Sequence, residues 1–180
     1  MSASGLSDFV RACHFAAVKH TNQRRKDEAQ TPYINHPLGV ANHLVDCGLS
    51  DPALLCAAVL HDTVEDTDTT FEEIKDHFGQ EVEALVREVS DDKSLPKMKR
   101  KELQIEHALH ASPKAKLIKL ADKLYNLEDL QRCTPKGWTE DRVNAYFEWA
   151  QKVVTNCKTG ESPMLEEKVQ KVLNSHFNKK

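Results

Sequence analysis

No run of about 18 apolar residues occurs in the 180-residue chain, so no segment is long enough to cross a bilayer as a helix. Aromatic residues make up only 6%, β-branched residues are not clustered, and no segment alternates polar and apolar beyond a few positions. Those absences argue against a sheet. There is no Gly/Ser-rich linker, low-complexity tract or internal repeat, so no seam between domains is visible. The five cysteines (Cys13, Cys47, Cys56, Cys133, Cys157) stand singly, without a C-x-x-C pair. An odd, scattered set predicts reduced thiols and a cytoplasmic setting. Residues Met1 to Ser7 lack a charged segment followed by an apolar one, so no signal peptide is expected. A formal charge of −3 argues against a broad basic surface, so neither nucleic acid nor membrane is an expected partner. What is present, 39% hydrophobic and 29% charged residues, can build a core beneath a solvated surface. One domain over residues 1–180 is the expectation.

The apolar spacing is helical. Phe9, Cys13, Ala16, Ala17 and His20 recur at three and four residues along one face of an opening helix. The stretch from Asn22 to Glu28, then Thr31-Pro32-Tyr33, reads as a loop. A second helix starts at Asn35-His36-Pro37, with Asn35 a candidate cap, and stops before Gly48. Asp51-Pro52 is another cap-plus-proline start, and Thr70 with Glu73 forms a capping box whose helix is expected to end near Gly79. Ser112-Pro113 opens a long helix to about Arg132, and Ser162-Pro163 opens the last one. Short polar connections between such helices predict an all-α, compact bundle.

Three places put chemistry where a core is expected. Ala53 to Leu60 is apolar on every side, which in a helix means burial all round, and it runs into His61-Asp62-Thr63-Val64-Glu65-Asp66. Unpaired burial of such groups is costly and shifts their pKa values. A bound cation removes the problem, and the negative end of the helix dipole favours it. On a continuing helix His61 and Glu65, and likewise Asp62 and Asp66, share a face. The plainer reading is a solvated acidic helix end with one satisfied histidine. Asp122 lies near the inward face of a leucine-striped helix, on a stripe with Ile118, Tyr125 and Asp129, and wants either a metal or a neighbouring lysine. His36 begins a helix and by itself resembles any structural histidine. His14, His20, His43, His77, His107, His110 and His176 lack a carboxylate-rich context and read as surface or core residues.

Four ordered motifs lift these three above their surroundings: Arg25-Lys26-Asp27; Tyr33-Ile34-x-His36-Pro37-x-x-Val40-Ala41; His61-Asp62-x-x-Glu65-Asp66; and Ala121-Asp122-Lys123-Leu124-x-Asn126-Leu127. Together they resemble the HD-domain superfamily, specifically the hydrolase module of the RelA/SpoT alarmone enzymes, and within it the stand-alone metazoan SpoT homologues, without a synthetase domain. The likeness runs from about Phe15 to about Val154 and includes Asp91-Asp92-Lys93 and Tyr146-Phe147-x-Trp149-Ala150. It implies an HD-type helical bundle and a manganese-dependent guanosine-3′,5′-bis(diphosphate) 3′-pyrophosphohydrolase. Carried over by residue, His36, His61, Asp62 and Asp122 hold the metal, and such a set of imidazoles and carboxylates suits Mn²⁺. Glu65 and Asp66 position and deprotonate the attacking water, and as neighbours they are expected to titrate as a pair. Arg25 and Lys26 flank guanine and ribose, Lys97 faces phosphate, and Asn126 and Tyr146 line the nucleotide site.

A substrate with four phosphates needs basic residues concentrated locally in an acidic chain, and Arg24-Arg25-Lys26 and Lys97 to Lys101 supply them. Most of Lys99 to Lys101 reads as a solvated helix face. One departure stands out: Glu128 occupies a position where the family usually has arginine, which puts affinity for an anionic substrate in question and predicts that Glu128→Arg tightens binding. Removal of the 2′-phosphate of NADPH at the same site is the second reading. An inactive nucleotide-binding module is the third, and it conflicts with the presence of all four ligands and both carboxylates.

Overall fold

The computed structural model describes residues 3–178, and helices account for nearly all the regular structure among them. In chain order these are α1 (Ala3–Lys19), α2 (Asn35–Asp46), α3 (Pro52–Leu60), α4 (Thr63–Asp66), α5 (Phe71–Val89), α6 (Lys97–His110), α7 (Pro113–Arg132), α8 (Glu140–Cys157) and α9 (Pro163–Phe177). Side-chain caps choose most of the starts. Asp51 accepts from the Leu54 amide at 2.8 Å, Thr70 from Glu73 at 3.1 Å, and Ser112 from Ala115 at 3.3 Å. Thr139 and Ser162 cap α8 and α9 in the same way. Each such cap contributes about 1 kcal/mol, and proline follows it in α3, α7 and α9 without cost because that amide is unpaired anyway.

Two starts and one stop differ from expectation. Asn35 is the first helical residue of α2 and not its cap; Ile34 before it already has helical torsions. The amides of Asn35 and His36 instead bond the carbonyls of Pro32 and Tyr33 at 3.1 and 2.9 Å, so the loop itself winds into the helix. Only half of the expected capping box forms at α5, because Glu73 turns its carboxylate to Lys19 at 3.1 Å. The same helix bends at Gly79, whose φ of 85° suits a residue without a side chain, and then continues to Val89. It continues because Val82, Leu85 and Val86 beyond the bend are still buried.

The core is organised around α3 and α7. Every residue of α3 from Leu54 to Leu60 is buried, with α1, α2, α5 and α7 packed around it. Leu117, Ile118, Leu120, Ala121, Leu124 and Leu127 make α7 the second central element, against α2, α5, α8 and α9. α6 packs mainly on α8. At one position α2 and α7 touch so closely that no side chain fits: a Cβ on Gly39 would collide with the Tyr125 ring. That approach seats Tyr125 edge-on to the His36 ring, 5.0 Å between centroids. No helix among the described residues is long and apolar enough to cross a membrane.

Candidate active site

A break in the chain directly after α3 builds the centre. On an unbroken helix, neighbouring side chains diverge by about 100°. Here α3 stops at Leu60 and Asp62 (φ −97°, ψ −5°) caps the separate turn α4; His61, Asp62, Glu65 and Asp66 all line one cavity, and the adjacent side chains do not diverge across this junction. Instead His61 Nε2 and Asp62 Oδ2 lie 3.2 Å apart. His36, from the first turn of α2, places Nε2 3.4 Å from Asp62 and 3.2 Å from Asp122, which stands mid-way along α7. His61 Nε2 is 3.8 Å from the same Asp122 oxygen. Because α3 is surrounded, both rings are inside: His36 is 1% exposed and His61 5%.

Hydrogen positions follow from the partners. His61 Nδ1 is 2.7 Å from the Ala58 carbonyl, which only accepts, so Nδ1 carries the proton. Nε2 of the neutral ring is then a lone pair, buried without a hydrogen-bond partner and aimed at carboxylate oxygens. Lone pair against carboxylate is stable only with a cation between them, a proton or a metal. Burial opposes charge on His61, yet Asp62 and Asp122 hold its pKa well above the ordinary imidazole value. Burial likewise opposes ionisation of the two carboxyls, but His61 and His36 beside Asp62, and Lys123 and the two imidazoles beside Asp122, hold both well below the usual range. His36, His61 and Asp62 each offer a donor atom within 4.8 Å of the others. Asp122 reaches both rings while Lys123 occupies its Oδ2 at 2.7 Å and the Asn126 amide donates to its Oδ1 at 2.6 Å. Two imidazole nitrogens and two carboxylates fit a divalent cation of intermediate hardness. The solvated helix end does not describe His61, which is buried, whereas the lysine partner of Asp122 exists alongside its two imidazoles.

Residues other than the four candidate ligands fix this cluster. The Tyr33 hydroxyl donates to Asp62 Oδ2 at 2.6 Å, and burial together with Asp62 keeps it from ionising. Glu65 Oε2 accepts the Asp91 amide at 3.1 Å, while its Oε1 has Lys93 at 3.5 Å and Arg100 at 3.6 Å. Burial, then the charge of Asp62, raises the Glu65 pKa. Asp66 is held by Lys93 at 2.6 Å and by the Gln23 amide at 2.8 Å. Lys93 thus lies against both carboxylates, and Asp62 is the carboxylate whose charge acts most strongly on Glu65. Gln23 also shows why His20, read only as a surface or core residue, matters: its Nδ1 is 2.6 Å from the Gln23 oxygen, orienting the amide so that its nitrogen meets Asp66. The H-x-x-Q spacing at the end of α1 was the available signal.

Two cavities, of about 250 and 390 Å³, share Tyr33, Asp66, Asn126 and Tyr146 as lining. The smaller contains the four-residue cluster, Glu65 and Lys97; Arg25, Lys26 and Trp138 line the larger. All five residues expected to contact substrate therefore line one or both. Arg25 is braced by Asn126 and Asp129, each at 2.8 Å. Tyr146 is half-buried, and its desolvation pushes its pKa up to about 12 and keeps it a neutral hydroxyl. The solvated-face reading of Lys99 to Lys101 holds for Lys99, which pairs on the surface with Glu102. It fails for Arg100 and Lys101, which line the smaller cavity with Lys97 at helical spacing. Glu128 is 47% exposed and bonds His43 Nε2 at 3.1 Å, and it lines neither cavity. The expected tightening by Glu128→Arg has no geometric basis: that substitution should leave KM within about twofold of wild type, as a surface change away from the site. A steady-state titration with the nucleotide checks it.

The HD domain family model matches residues 12–146, a span that includes every one of these cluster residues. Two relatives, from Xenopus tropicalis and Homo sapiens, are named guanosine-3′,5′-bis(diphosphate) 3′-pyrophosphohydrolase MESH1. The frog protein is 63% identical over 93% of this chain and 93% of its own length; the human one is 59% identical over 91% and 92%. A solved structure, described as a metazoan ortholog of SpoT that hydrolyzes ppGpp and plays a role in starvation responses, superposes with a TM-score of 0.92. It is 50% identical and covers 98% of this chain and 97% of its own. The chain belongs to the HD domain family, in the metazoan SpoT-homologue branch that these relatives represent.

Proposed function

We propose that the chain hydrolyses guanosine-3′,5′-bis(diphosphate) to GDP and pyrophosphate, using Mn²⁺ held by His36, His61, Asp62 and Asp122. The observation that carries this is the buried His61 lone pair turned toward two carboxylates at the floor of a cation-lined cavity. The frog and human relatives, named for this hydrolysis, support the substrate. When bound, the ion supplies Lewis acidity, making water more acidic and offsetting charge on the phosphoryl oxygens.

The residues around it divide the remaining work. Among the described residues Glu65 Oε1 has no hydrogen-bond donor closer than the two cations at 3.5 and 3.6 Å, whereas Oε2 is tied to the Asp91 amide. Oε1 is thus the atom that takes the proton from water, and a pKa raised by burial suits a base working near neutrality. Asp66, held at both oxygens by Lys93 and Gln23, orients that water as a fixed anion. The water oxygen bonds to phosphorus, the bond from phosphorus to the ribose 3′-oxygen breaks, and that oxygen ends protonated. In this reading Arg25 and Lys26 face guanine and ribose, Lys97 faces phosphate, and Asn126 and Tyr146, which line both cavities, border the nucleotide.

The five free cysteines support a cytoplasmic setting for this chemistry. Removal of the NADPH 2′-phosphate draws no support from the relatives named above. Protein stripped with a chelator should release no pyrophosphate from the bis(diphosphate) and should regain activity on addition of Mn²⁺. Full activity after stripping would overturn the metal assignment.

A further inference from the structure

The smaller cavity gathers buried cations that the fold does not neutralise. Lys119 and Lys123 stand one turn apart on α7, 7% and 6% exposed. Lys123 has a partner, Asp122. Lys119 has none: among the described residues its Nζ makes no hydrogen bond and no ion pair, although the residue lines the cavity. Its stem is buried while Nζ is not among the fully enclosed polar atoms, so the unpaired amino group faces the cavity, where a bound anion would offset the cost of its partial desolvation. Burial, and then the charge of Lys123, pull the Lys119 pKa below the usual lysine value.

A third amino group comes from α6. Lys101 Nζ lies 4.6 Å from the centroid of the Trp149 ring and 5.5 Å from that of Tyr146, and Lys123 Nζ lies 4.8 Å from the same Trp149 ring. The indole cannot drift, because its Nε1 donates to the Lys101 carbonyl at 3.0 Å. One fixed aromatic platform therefore brings two ammonium groups together, and Lys119 adds a third on the same wall. Burial and the neighbouring Lys97 and Lys123 lower the Lys101 pKa, so these groups repel one another in the free protein. Asp91, an acid lining the same cavity, is already engaged by Gln104 at 2.6 Å.

We propose that Lys101, Lys119 and Lys123 form a subsite for the terminal phosphate of the substrate's 3′-diphosphate, and hence for the pyrophosphate product. This rests on the hydrolase reading above. Lys123 connects the subsite to the reaction centre: it touches Asp122, which touches both imidazoles, so a phosphate next in line from phosphorus at the centre meets the lysines. The subsite makes the enzyme selective for a 3′-diphosphate over a 3′-monophosphate.

The test measures binding of inorganic pyrophosphate and of orthophosphate to the Mn²⁺-loaded protein by calorimetry, in wild type and Lys119→Met. The substitution keeps length and removes charge, so the thermal midpoint should not fall. Pyrophosphate affinity should fall roughly 10–100-fold, as for loss of a charge-assisted contact, with orthophosphate little changed. In turnover, Lys119→Met should raise KM for the 3′-diphosphate and leave the corresponding 3′-monophosphate nearly unaffected. If Lys119→Met folds poorly, Lys101→Met provides the same comparison from the other helix. Wild-type affinity for pyrophosphate in the folded variants, or no pyrophosphate binding by wild type, would overturn the subsite. Lysine-dependent pyrophosphate binding without hydrolysis would uphold the subsite and refute the hydrolase reading instead.

Discussion

Asp62→Ala protein should take up no measurable Mn²⁺ and release no pyrophosphate above background. Asp62 Oδ2 alone lies within 3.4 Å of His36 Nε2, 3.2 Å of His61 Nε2 and 2.6 Å of the Tyr33 hydroxyl. Removing it takes away the charge that both rings share and leaves them facing Asp122, whose other oxygen is committed to Lys123. Loss of a supporting residue behind a metal ligand typically costs about 10–100-fold in affinity, and loss of a ligand costs more. Tyr33→Phe gives the graded comparison: it keeps all four donors and should fall within that smaller range. Calorimetric titration of Mn²⁺ into each stripped protein reads both effects, with circular dichroism confirming helix content. Wild-type Mn²⁺ affinity in Asp62→Ala would remove Asp62 from the ligand set.

Glu65→Gln should separate binding from turnover. The amide keeps an oxygen for the Asp91 N–H and contributes no ligand to the cluster, so Mn²⁺ affinity and KM should stay close to wild type. It cannot accept the proton from water. Loss of a general base costs roughly 10²–10⁴-fold, here in kcat. Asp66→Asn should cost less, since its interactions with Lys93 and Gln23 make it an orienting group and not the proton acceptor. Single-turnover measurement of pyrophosphate release ranks the two. A Glu65→Gln enzyme turning over at the wild-type rate, or an Asp66→Asn enzyme more damaged than it, would reverse these roles.

Local rules made much of the fold legible. A cap residue followed by proline marks α3, α7 and α9 because both effects act within four residues of chain. An all-apolar α3 also told correctly that His61 would be delivered inside. What depends on a partner was harder to see. α8 carries its signal in Thr139 and two acids after it, without proline, and α6 is set by packing against α8. The close approach at Gly39 is invisible until Tyr125 is brought against it. Within the site, the motif residues were readable because several crowd together in six positions. The contacts that support them were not, since Tyr33 reaches Asp62 across 29 residues, Gln23 reaches Asp66 across 43, and Lys93 reaches back 27. The turn at Asp62 belongs to the same class: it makes adjacent side chains converge where helical periodicity would part them. Glu128 shows the opposite error, a charge judged by its neighbours in sequence that the helix directs to His43.

The most direct measurement supplies metal-stripped protein, with Mn²⁺ restored, with guanosine-3′,5′-bis(diphosphate) and NADPH together and follows which phosphate product appears. Pyrophosphate released in step with added Mn²⁺, with little orthophosphate, is the predicted result. Orthophosphate as the main product would move the substrate to NADPH, and pyrophosphate release indifferent to Mn²⁺ would contradict the role assigned to His36, His61, Asp62 and Asp122.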